Sequence, residues 1–404
     1  MTAINCLIKI NDHNQRNNLI RINQRSYLRY MQKIGILGGG QLGRMLLQAA
    51  ANYPVETFVM ENDTGCPAAH LCHYFIKGDI RDFTDVYEFG KGLDALTIEI
   101  ESVNEEALQQ LENEGVRIYP KPGVLGIIKN KILQKQFYYD NQIPSAEFSI
   151  TQTTNDLVSL TAYFPAIHKI AVGGYDGRGV ISIENKEEAM NGFNEPAVLE
   201  KKISIEKEIS IIVAVSDKGE LAIYPPVDMI FNKDLNMLDY QLSPAVLPEK
   251  IFWKAEAIAL KVVKQLHSPG IFAIEMFTDK IGNVWVNETA PRVHNSGHHT
   301  IEANYCSQFD MLWRIMLGYP MGNTKYLSHS ALVNIIGSAD NSGPAIYKGM
   351  DKVLALDNVF VHIYGKKETR PGRKMGHITI LSHERQELIH TSNKVKQLLQ
   401  VVTA

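Results

Sequence analysis

A strand, a glycine-rich turn and a helix follow one another from Lys33, and this succession constrains the fold more than any other feature of the sequence. The apolar run KIGIL leads into GGGQLG and then into RMLLQAAANY. Further runs typical of strands occur at 56–61, at 95–100 and from Val116, with helical stretches between them. Strands that alternate with helices predict a parallel sheet that is covered on both faces.

The remaining chain predicts smaller mixed units. A helix at 124–141 leads into an α/β unit with strands expected at 166–171, 180–183, 197–201 and 208–215. Next we expect a helix at 254–266, a hairpin of strands 271–277 and 283–289, a helix at 307–317 and a β-rich unit at 330–381. The predicted fold class is therefore α/β in its first unit and α+β overall, divided into segments 1–30, 31–125, 126–215, 216–325 and 326–404.

Composition and charge exclude several classes of function. The chain has 41 Lys and Arg against 44 Asp and Glu, a formal net charge of −3, so it lacks the broad basic field of a protein that binds genomic nucleic acid. Its four cysteines form no CxxC pair, which predicts neither a disulfide framework nor a zinc knuckle and fits a reducing, cytoplasmic location. No apolar run approaches the roughly 18 to 20 residues that span a bilayer.

Residues 1–30 differ from the rest of the chain. They hold four Arg, many Asn and a single acid, Asp12. An organelle transit peptide has this composition, but a disordered tail or a start codon placed too far upstream fits as well. Because Met31 directly precedes the first clear strand, we favour the last two interpretations.

The first glycine-rich turn satisfies the spacing GxGxxG at Gly38, Gly40 and Gly43. Between a strand and a helix this is the fingerprint of dinucleotide binding, and Glu61 at the end of the next strand would then bind a ribose. The spacing alone does not decide, because a turn shaped for packing of the helix on the sheet uses the same glycines. A third interpretation is a turn that holds another phosphate, such as that of a nucleotide monophosphate substrate.

Four glycines lie within seven residues at 173–179, in the string GGYDGRG between two predicted strands. Such a loop has many free N–H donors and can fold over a polyphosphate, with Arg178 near the charge. Lys169 on the preceding strand and Lys131 on the earlier helix are placed to reach phosphate as well. The alternative is an ordinary hairpin loop, which needs only one or two glycines.

The string EKKI at 200–203 follows an apolar strand and predicts a linker whose backbone amides can read an adenine edge. Glu208, farther along, is a candidate for the ribose hydroxyls. The alternative is solvated surface charge, and we prefer it for each lysine of this segment taken alone.

Two acidic residues lie among apolar residues on neighbouring strands, Glu275 in GIFAIEMF and Glu288 in VWVNETA. Alternation predicts that Glu275 faces the same side as Ala273, and that Glu288 faces the same side as Val286. Such acids are costly to bury unless they bind something positive, and Mg²⁺ takes one or two carboxylates together with substrate phosphates. Asn287 can complete the shell of the cation. The alternative is a pair of structural ion pairs with Lys or Arg.

Directly after the second of these strands, the string PRVHNSGH at 291–298 gathers Arg, His, Asn and Ser in one loop. So many donors beside a metal-binding strand predict a pocket for a small oxyanion. His298 and His299 can also have structural roles, and we assign His299 to that group.

Together these features resemble the ATP-grasp superfamily, whose members join a carboxylate to an amine through an acyl phosphate. The closer similarity is to the N5-carboxyaminoimidazole ribonucleotide synthetases, the ATPase subunits of bacterial phosphoribosylaminoimidazole carboxylase. The strings that carry it, between residues 34 and 378, are GILGGGQLGRML, GGYDGRG, EKEIS, NETAPRVHNSGHHT and GKKETRPGRKMGHI. The resemblance implies an ATP-grasp fold in which 31–125 is a Rossmann-like substrate domain, 126–215 the lid with its linking helix, 216–325 the metal-binding catalytic domain and 326–404 a C-terminal β-rich unit.

The resemblance implies an ATP-dependent carbon–nitrogen ligase of purine biosynthesis. Its substrates would be ATP, bicarbonate and 5-aminoimidazole ribonucleotide, its intermediate carboxyphosphate, and its products ADP, phosphate and N5-carboxyaminoimidazole ribonucleotide. The metal would be Mg²⁺, with Mn²⁺ as a substitute. A homodimer is expected because the family is usually dimeric.

The resemblance also implies roles for individual residues. ATP contacts are implied for Lys131, Lys169, Gly174, Tyr175, Asp176, Gly177, Arg178, Gly179, Glu200, Lys201, Lys202, Ile203, Glu208, Asn287 and Glu288. The implied metal ligands are Glu275 and Glu288. The implied catalytic residues are Asp176, which would steer the amine proton, Arg178, and the bicarbonate-binding Arg292, His294 and Asn295. The ribonucleotide is expected at Gln41, Leu42 and Tyr175, with its 5′-phosphate at Lys367, Arg373 and Lys374.

Two positions depart from the family pattern. Phe231 stands where His is usual, and Lys131 stands where Arg is frequent, a change that keeps the charge but loses the bidentate fork. Rival functions are another ligase of the superfamily, such as a formate-dependent glycinamide ribonucleotide transformylase or a biotin carboxylase, a nicotinamide oxidoreductase, and a binding protein without activity. The string RPGRKMGHI disfavours the other ligases, and the presence of both acids and the oxyanion loop disfavours an inactive protein.

Overall fold

The computed structural model describes residues 31–174, 179–232, 237–338 and 342–403. Its first region is a sheet of strands β1 (Gln32–Leu37), β2 (Val55–Glu61), β3 (Tyr74–Lys77), β4 (Ala95–Ile98) and β5 (Arg117–Tyr119) in the order β3-β2-β1-β4-β5. The helices between these strands are α1 (Gln41–Ala50), α2 (Phe83–Gly90) and α3 (Glu105–Asn113). All strand pairs are parallel, as predicted. Ile36 and Leu37, on opposite faces of β1, are both fully buried, so apolar packing covers the sheet on both sides.

Two helices replace the single helix predicted at 124–141, namely α4 (Pro122–Ile128) and α5 (Lys131–Asp140). The helix is interrupted at Asn130, whose side chain accepts hydrogen bonds from the N–H groups of Ile132 and Leu133 and so caps α5. The break places Lys131 in the first turn of α5, where its ammonium group can reach the cleft described below.

A small antiparallel sheet follows, and we call residues 148–201 the lid. Its strands are β6 (Phe148–Thr151), β7 (Ala166–Ile170), β8 (Val180–Ile183) and β9 (Ala197–Lys201), in the order β6-β9-β7-β8. Helix α6 (Thr154–Ser159) and two short 3-10 helices, at 161–163 and 187–191, pack against this sheet around Leu157, which is fully buried.

The chain enters and leaves the lid through two neighbouring segments. On entry, the carbonyl of Pro144 accepts the N–H of Val286 at 2.7 Å. On exit, the N–H of Lys201 donates to the carbonyl of Glu147 at 2.8 Å. The two segments therefore form one hydrogen-bonded ribbon between the lid and the rest of the chain.

One large sheet, mainly antiparallel, forms the remainder of the core. The remaining elements of the chain, in order, are β10 (Ile205–Val215), β11 (Leu221–Ile223), β12 (Val227–Asn232), β13 (Met237–Ser243), α7 (Glu249–Leu266), β14 (Gly270–Asp279), β15 (Val284–Ala290), α8 (Thr300–Ala303), α9 (Gln308–Leu317), β16 (Ser330–Ile336), β17 (Gly343–Lys348), α10 (Met350–Leu354), β18 (Val359–Ile363), β19 (Glu368–Thr369), β20 (Lys374–Leu381), α11 (Arg385–Leu398) and β21 (Gln400–Thr403). The strand order is β15-β14-β10-β12-β13-β16-β20-β18, with β11 on β10. Because β13 pairs directly with β16, the C-terminal region continues the sheet that carries the acidic hairpin.

Helices cover both faces of this sheet. The apolar side of α7 packs with Ile274 and Val286, and α9 packs on the other face with Ala273 and with helix α1 of the first region. A separate small sheet of order β19-β17-β21 lies in the C-terminal region. No helix among the described residues combines the length and the apolar character that a membrane crossing requires.

Candidate active site

The two acidic residues singled out in the sequence face each other across the hairpin of β14 and β15. Glu275 and Glu288 are direct partners in the antiparallel register. The predicted face of Glu288 was wrong, because the register shifts by one residue between Glu275 and Met276 and leaves Asn287 as the extra residue of a bulge.

The bulge decides which side chains reach the cleft. Val286 packs in the core beneath α7, and Thr289 continues that buried face by pairing its hydroxyl with the hydroxyl of Tyr138 at 2.8 Å. Glu288 consequently lies on the opposite face, together with Glu275. In a regular strand that kept Asn287 in the pairing, alternation would have placed Glu288 and Val286, which are two residues apart, on one side.

Electrostatic interactions shift the pKa values of the two carboxyl groups in opposite directions. Lys131 Nζ lies 3.1 Å from Glu288 Oε2, and its charge is the largest cause that lowers the pKa of Glu288. Burial, followed by repulsion from Glu288, raises the pKa of Glu275. The pair therefore holds one ionised group and one group that resists ionisation until positive charge arrives. Two carboxylates in this arrangement fit a hard divalent cation.

A chain of polar contacts continues from the acidic pair into the lid. Lys169 Nζ donates to Asn287 Oδ1 at 2.8 Å and lies 3.0 Å from Glu200 Oε2. Lys135 Nζ approaches the other oxygen of Glu200 at 3.4 Å. Burial alone would raise the pKa of Glu200, but the ammonium groups of Lys169 and Lys135 outweigh burial and lower that pKa. Asn287 thus binds a lysine, and the amide is not free to act as a metal ligand alone.

Lys135 is a member of this network that the sequence analysis missed. Its side chain is only 3% exposed, and burial lowers its pKa to about 8. The signal was present in the sequence, since Lys135 follows Lys131 by four residues and therefore lies on the same face of α5.

The linker residues divide into two groups. Glu208 lies on β10 beside Phe277, and burial raises the pKa of its carboxyl to about 7. Lys201 pairs with Glu147 at 3.7 Å and Lys202 with Glu184 at 2.5 Å, both on the exposed side of the lid. The backbone N–H groups of Lys201 and Lys202 also donate to carbonyls of the lid region, those of Glu147 and Pro165. These contacts favour the solvated interpretation for both lysines.

The loop after β15, residues 292–297, is called the anion loop below. Arg292 Nε lies 2.9 Å from Glu101 Oε1, an ion pair that turns the guanidinium toward the first region. His294 Nε2 lies 3.7 Å from Glu275 Oε1. Asn295 is 8% exposed, and its Oδ1 has no hydrogen-bond partner within the described ranges. Of the three predicted residues, His294 therefore contacts the acidic pair, Arg292 turns toward the first region, and Asn295 presents an unsatisfied amide atom.

The first glycine turn is occupied by carboxylates of its own domain. Gly39 N–H donates to Glu61 Oε2 and Leu42 N–H donates to Glu99 Oε1, each at 3.1 Å. A Cβ on Gly40 would lie 2.4 Å from Glu99 Oε1, so a larger residue there would displace the carboxylate that binds the turn. Because side chains of the protein already bind these N–H groups, the turn does not offer the vacant helix N-terminus that a dinucleotide needs.

Glu99 is a second residue that the sequence analysis missed. Burial raises the pKa of its carboxyl to about 7, although the charge of Arg292 opposes this rise. Glu99 therefore lies between the glycine turn and the anion loop, and a short strand end with two acids, the string EIES at 99–102, was the available signal.

Residues 366–374 of the C-terminal region, called the basic hairpin below, reach the same turn. Lys366 Nζ donates to Gln41 Oε1 at 2.9 Å and to the carbonyl of Lys374 at 2.6 Å. A Cβ on Gly65 would lie 3.2 Å from Lys367 Nζ, so this second lysine also faces the first region. Lys374 is close enough to lower the pKa of Glu275, although burial outweighs it.

The predicted hairpin residues differ in their surroundings. Lys367 and Lys374 lie toward the cleft, whereas the guanidinium of Arg373 donates to the carbonyl of Glu368 at 2.8 Å. Lys366, which the sequence analysis did not select, joins the hairpin to Gln41. The tip of the lid loop, with Tyr175, Asp176, Gly177 and Arg178, lies outside the described residues, as does the N-terminal segment 1–30. Gly174 and Gly179 border this loop.

Three domain families match successive parts of the chain. Residues 31–129 match the ribonucleotide synthetase preATP-grasp domain, residues 136–309 the ATP-grasp domain, and residues 330–391 the C-terminal domain of phosphoribosylaminoimidazole carboxylase. These matches confirm the ATP-grasp fold expected from the sequence.

Whole-chain relatives agree. The chain is 36% identical over 354 residues to the N5-carboxyaminoimidazole ribonucleotide synthase of Brucella melitensis, an alignment that covers 86% of this chain and 95% of the relative. It is 34% identical over 368 residues to the chloroplastic phosphoribosylaminoimidazole carboxylase of Vigna aconitifolia and 36% identical over 366 residues to the phosphoribosylaminoimidazole carboxylase of Ogataea methanolica, covering 87% of this chain in both cases. The chain spans 64% and 66% of the length of these two longer relatives.

Solved structures give the same family. The N5-carboxyaminoimidazole ribonucleotide synthetase of Thermotoga maritima superposes with a TM-score of 0.85 at 36% identity, covering 93% of this chain and 100% of that one. The N5-carboxyaminoimidazole synthase of Aspergillus clavatus, in complex with ADP and 5-aminoimidazole ribonucleotide, gives a TM-score of 0.81 at 28% identity, with 90% and 99% covered. The resemblance drawn from the sequence strings is thereby confirmed. The chain belongs to the N5-carboxyaminoimidazole ribonucleotide synthase family of the ATP-grasp superfamily.

Proposed function

We propose that this chain uses ATP to carboxylate the amine of 5-aminoimidazole ribonucleotide with bicarbonate, forming N5-carboxyaminoimidazole ribonucleotide for purine biosynthesis. The observation that carries the proposal is the ion pair of Arg292 with Glu101, at 2.9 Å. Through this ion pair, the anion loop reaches the segment that follows β4. Glu99, in the same segment, binds the first glycine turn. A phosphoryl-transfer site and a site for a second substrate thus adjoin within one cleft.

ATP would lie between the lid and the sheet that carries β14. Lys131 and Lys169 would bind phosphate oxygens, because both ammonium groups already lie within about hydrogen-bond distance of the acidic hairpin. Glu200 is held ionised and oriented by two lysines, and it would face the adenine amine. Glu208 would accept hydrogen bonds from the ribose hydroxyls. Ile203 would offer its backbone N–H to the adenine ring.

The acidic pair fits the Mg²⁺ that the family implies. The donor set consists of carboxylate oxygens on neighbouring strands, and among the described residues no group of three or more His, Cys, Asp or Glu forms a fuller cage. Mg²⁺ commonly binds one or two carboxylates and completes its shell with phosphate and water. When bound to Glu275 and Glu288, it would neutralise charge on the phosphate oxygens.

The reaction would proceed in two steps. A bicarbonate oxygen attacks the γ-phosphorus, the bond to the β-phosphate oxygen breaks, and ADP leaves, while Lys131 and Arg292 stabilise the negative charge. The amine nitrogen of the ribonucleotide then bonds to the carbon of carboxyphosphate, or of CO₂ released from it; phosphate leaves, and the amine gives up one proton, for which Asp176 is the proposed acceptor. The amide of Asn295 and the imidazole of His294 would hold the carboxyl oxygens during both steps. Closure of the lid would exclude water from the reactive intermediate.

The ribonucleotide would lie against the first glycine turn. Gln41 and Leu42 would contact it there, and Lys367, Arg373 and Lys374 would bind its 5′-phosphate. The position of Lys366 supports this assignment, because it joins the hairpin of these three residues to Gln41. Tyr175, Asp176 and Arg178 keep the roles that the resemblance implies, as proposals that the described residues do not address.

An assay of ADP release tests the function. With ATP, Mg²⁺ and bicarbonate, addition of 5-aminoimidazole ribonucleotide should accelerate ADP formation and give one carboxylated ribonucleotide per ADP, measured with ¹⁴C-bicarbonate. Formate with glycinamide ribonucleotide, or bicarbonate with biotin, should give no such acceleration, which separates the proposal from the other ligases. Binding of NADH in place of ATP would contradict it, as would ADP release that is indifferent to the ribonucleotide.

We further propose that the chain is a homodimer, on the strength of the family resemblance. Light scattering coupled to size-exclusion chromatography should give twice the chain mass of 45.4 kDa. A single peak at the chain mass would refute this part of the proposal.

A further inference from the structure

The anion loop has no regular hydrogen-bonded structure except a short 3-10 turn at Asn295–Gly297. A loop of this kind keeps its catalytic side chains in place only if other elements hold its backbone. Two buried glutamines, Gln308 and Gln241, approach this loop from different elements. Neither glutamine lies in one of the strings that carry the family resemblance.

Gln308, the first residue of α9, holds His294 through both polar atoms of its amide. Its Oε1 accepts the N–H of His294 at 2.9 Å, and its Nε2 donates to the carbonyl of His294 at 2.7 Å. The side chain is fully buried. The amide therefore satisfies the complete backbone of one loop residue, as a paired strand would, and it adds no charge beside the anion site.

Packing around Gln308 leaves little freedom. Its own backbone N–H donates to Thr300 Oγ1 at 3.0 Å, and that hydroxyl donates to the carbonyl of Gly297. A Cβ on Gly297 would lie 2.6 Å from Gln308 Cδ, so the loop approaches the amide as closely as it does only because glycine stands there.

Gln241 holds the loop from the opposite element, strand β13. Its Nε2 donates to the carbonyl of Ser296 at 2.8 Å and contacts His299 Nδ1 at 3.1 Å. The hydroxyl of Ser296 bonds to Ser210 on β10 and to the ring of His294, each at 2.9 Å. Loop residues 294 and 296 are thus held from a helix and from the sheet, and Asn295, whose amide is incompletely paired, lies between them.

We propose that Gln308 and Gln241 are positioning residues that fix the backbone of the anion loop on both sides of Asn295, so that the bicarbonate-binding side chains are oriented before substrate arrives. The reaction in question is the one proposed above, and the inference on loop geometry does not require it. Neither glutamine contacts bicarbonate. They act through the backbone of His294 and Ser296, which makes the effect on kinetics selective for the anion.

Hydrogen–deuterium exchange tests the geometry without reference to activity. The variants are Gln308→Met and Gln241→Met, which keep the approximate length of the side chain and remove the hydrogen bonds of its amide. Exchange of a peptide spanning residues 291–300 should become at least tenfold faster in either variant, because the N–H of His294 or the neighbouring turn loses its protection. Ser392→Ala serves as the control, since it removes a buried bond to the carbonyl of Leu388 in α11, away from the loop. Unchanged exchange in both glutamine variants would overturn the proposal, whatever the enzyme does.

Kinetics test the consequence for the reaction. Each glutamine variant should lose about tenfold to a hundredfold in kcat/KM for bicarbonate, the range expected for misplaced catalytic groups, while the KM values for ATP and the ribonucleotide change less than threefold. The double variant should lose less than the product of the single losses, because both residues act on one loop. Equal loss for all three substrates would overturn the proposal in favour of general destabilisation. If the loop loosens but the wild type shows no carboxylation, the proposed function fails and the positioning role stands.

Discussion

Glu208 provides a prediction in which stability and nucleotide binding change in opposite directions. The perturbation is Glu208→Gln, which keeps the shape of the side chain and removes its charge. Burial raises the pKa of this carboxyl from its ordinary value of 4.5 to about 7, and the charge of Lys169 offsets burial only in part. A charged Glu208 is therefore unfavourable in the ligand-free protein.

The magnitude follows from linkage. The folded protein binds a proton at Glu208 between about pH 4.5 and 7 that the unfolded chain does not bind, so the free energy of unfolding falls as pH rises through this window. A rise from 4.5 to about 7 corresponds to about 3 kcal/mol at 1.36 kcal/mol per pH unit. Because the side chain is only partly buried, we expect about 1 to 3 kcal/mol of added stability for Glu208→Gln at pH 8 and almost none at pH 4.

Urea unfolding at pH 4 and pH 8 measures the effect, with Glu206→Gln as the matched control. Glu206 lies two residues earlier on β10 and is exposed, so its neutralisation should change the free energy of unfolding by less than about 0.5 kcal/mol. The same Glu208 variant should raise the KM for ATP about tenfold if the carboxylate binds the ribose. A Glu208→Gln protein that is equally or less stable than wild type at pH 8 would refute the electrostatic reasoning.

Three further predictions concern other parts of the cleft and the lid. Lys374→Ala should raise the KM for the ribonucleotide at least tenfold and that for ATP less than threefold; equal changes in steady-state assays would contradict the phosphate role. Deletion of Asn287 should leave Glu275 and Glu288 paired, because it restores the regular register, so the circular dichroism spectrum should match that of wild type. The deletion also removes a hydrogen-bond partner of Lys169, so the affinity for ATP should be weaker. His168 has a pKa lowered to about 4 by burial, so stability should fall as pH drops from about 6.5 toward 4, and His168→Gln should flatten this fall in urea titrations; an unchanged slope would show that other groups cause it.

The sequence predicted most of the elements that carry strong periodicity or strong breakers. Strands β8 and β9 begin and end where the pattern placed them, and the parallel order of the first sheet followed from its alternation with helices. Strands β3 and β6 were missed because each has only four residues, most of them intermediate or exposed, which leaves no clear period. The helix predicted at 124–141 was divided by a capping asparagine, which is a local hydrogen bond rather than a pattern.

The site was predicted in its motifs and missed between them. Glu275, Glu288 and the anion loop were recognisable because charged residues stand out in apolar strands. Glu99 and Lys135 were not, since each gains its role from residues more than 50 positions away in the chain. The bulge at Asn287 is the clearest limit. Which face a strand residue occupies depends on pairing with its neighbour, and a single extra residue reverses the outcome without any compositional sign.

The ribbon formed by the carbonyl of Glu147 and the N–H of Lys201 has a consequence for how the protein can be altered. A segment whose two ends leave the body side by side is, in topological terms, an insertion that closes on itself. Residues 148–201 could therefore be exchanged for the corresponding segment of a relative with only two junctions to match, provided that Lys135 keeps its partner Glu200. Chimeras built this way would assign nucleotide preference and turnover separately to the donor and the recipient.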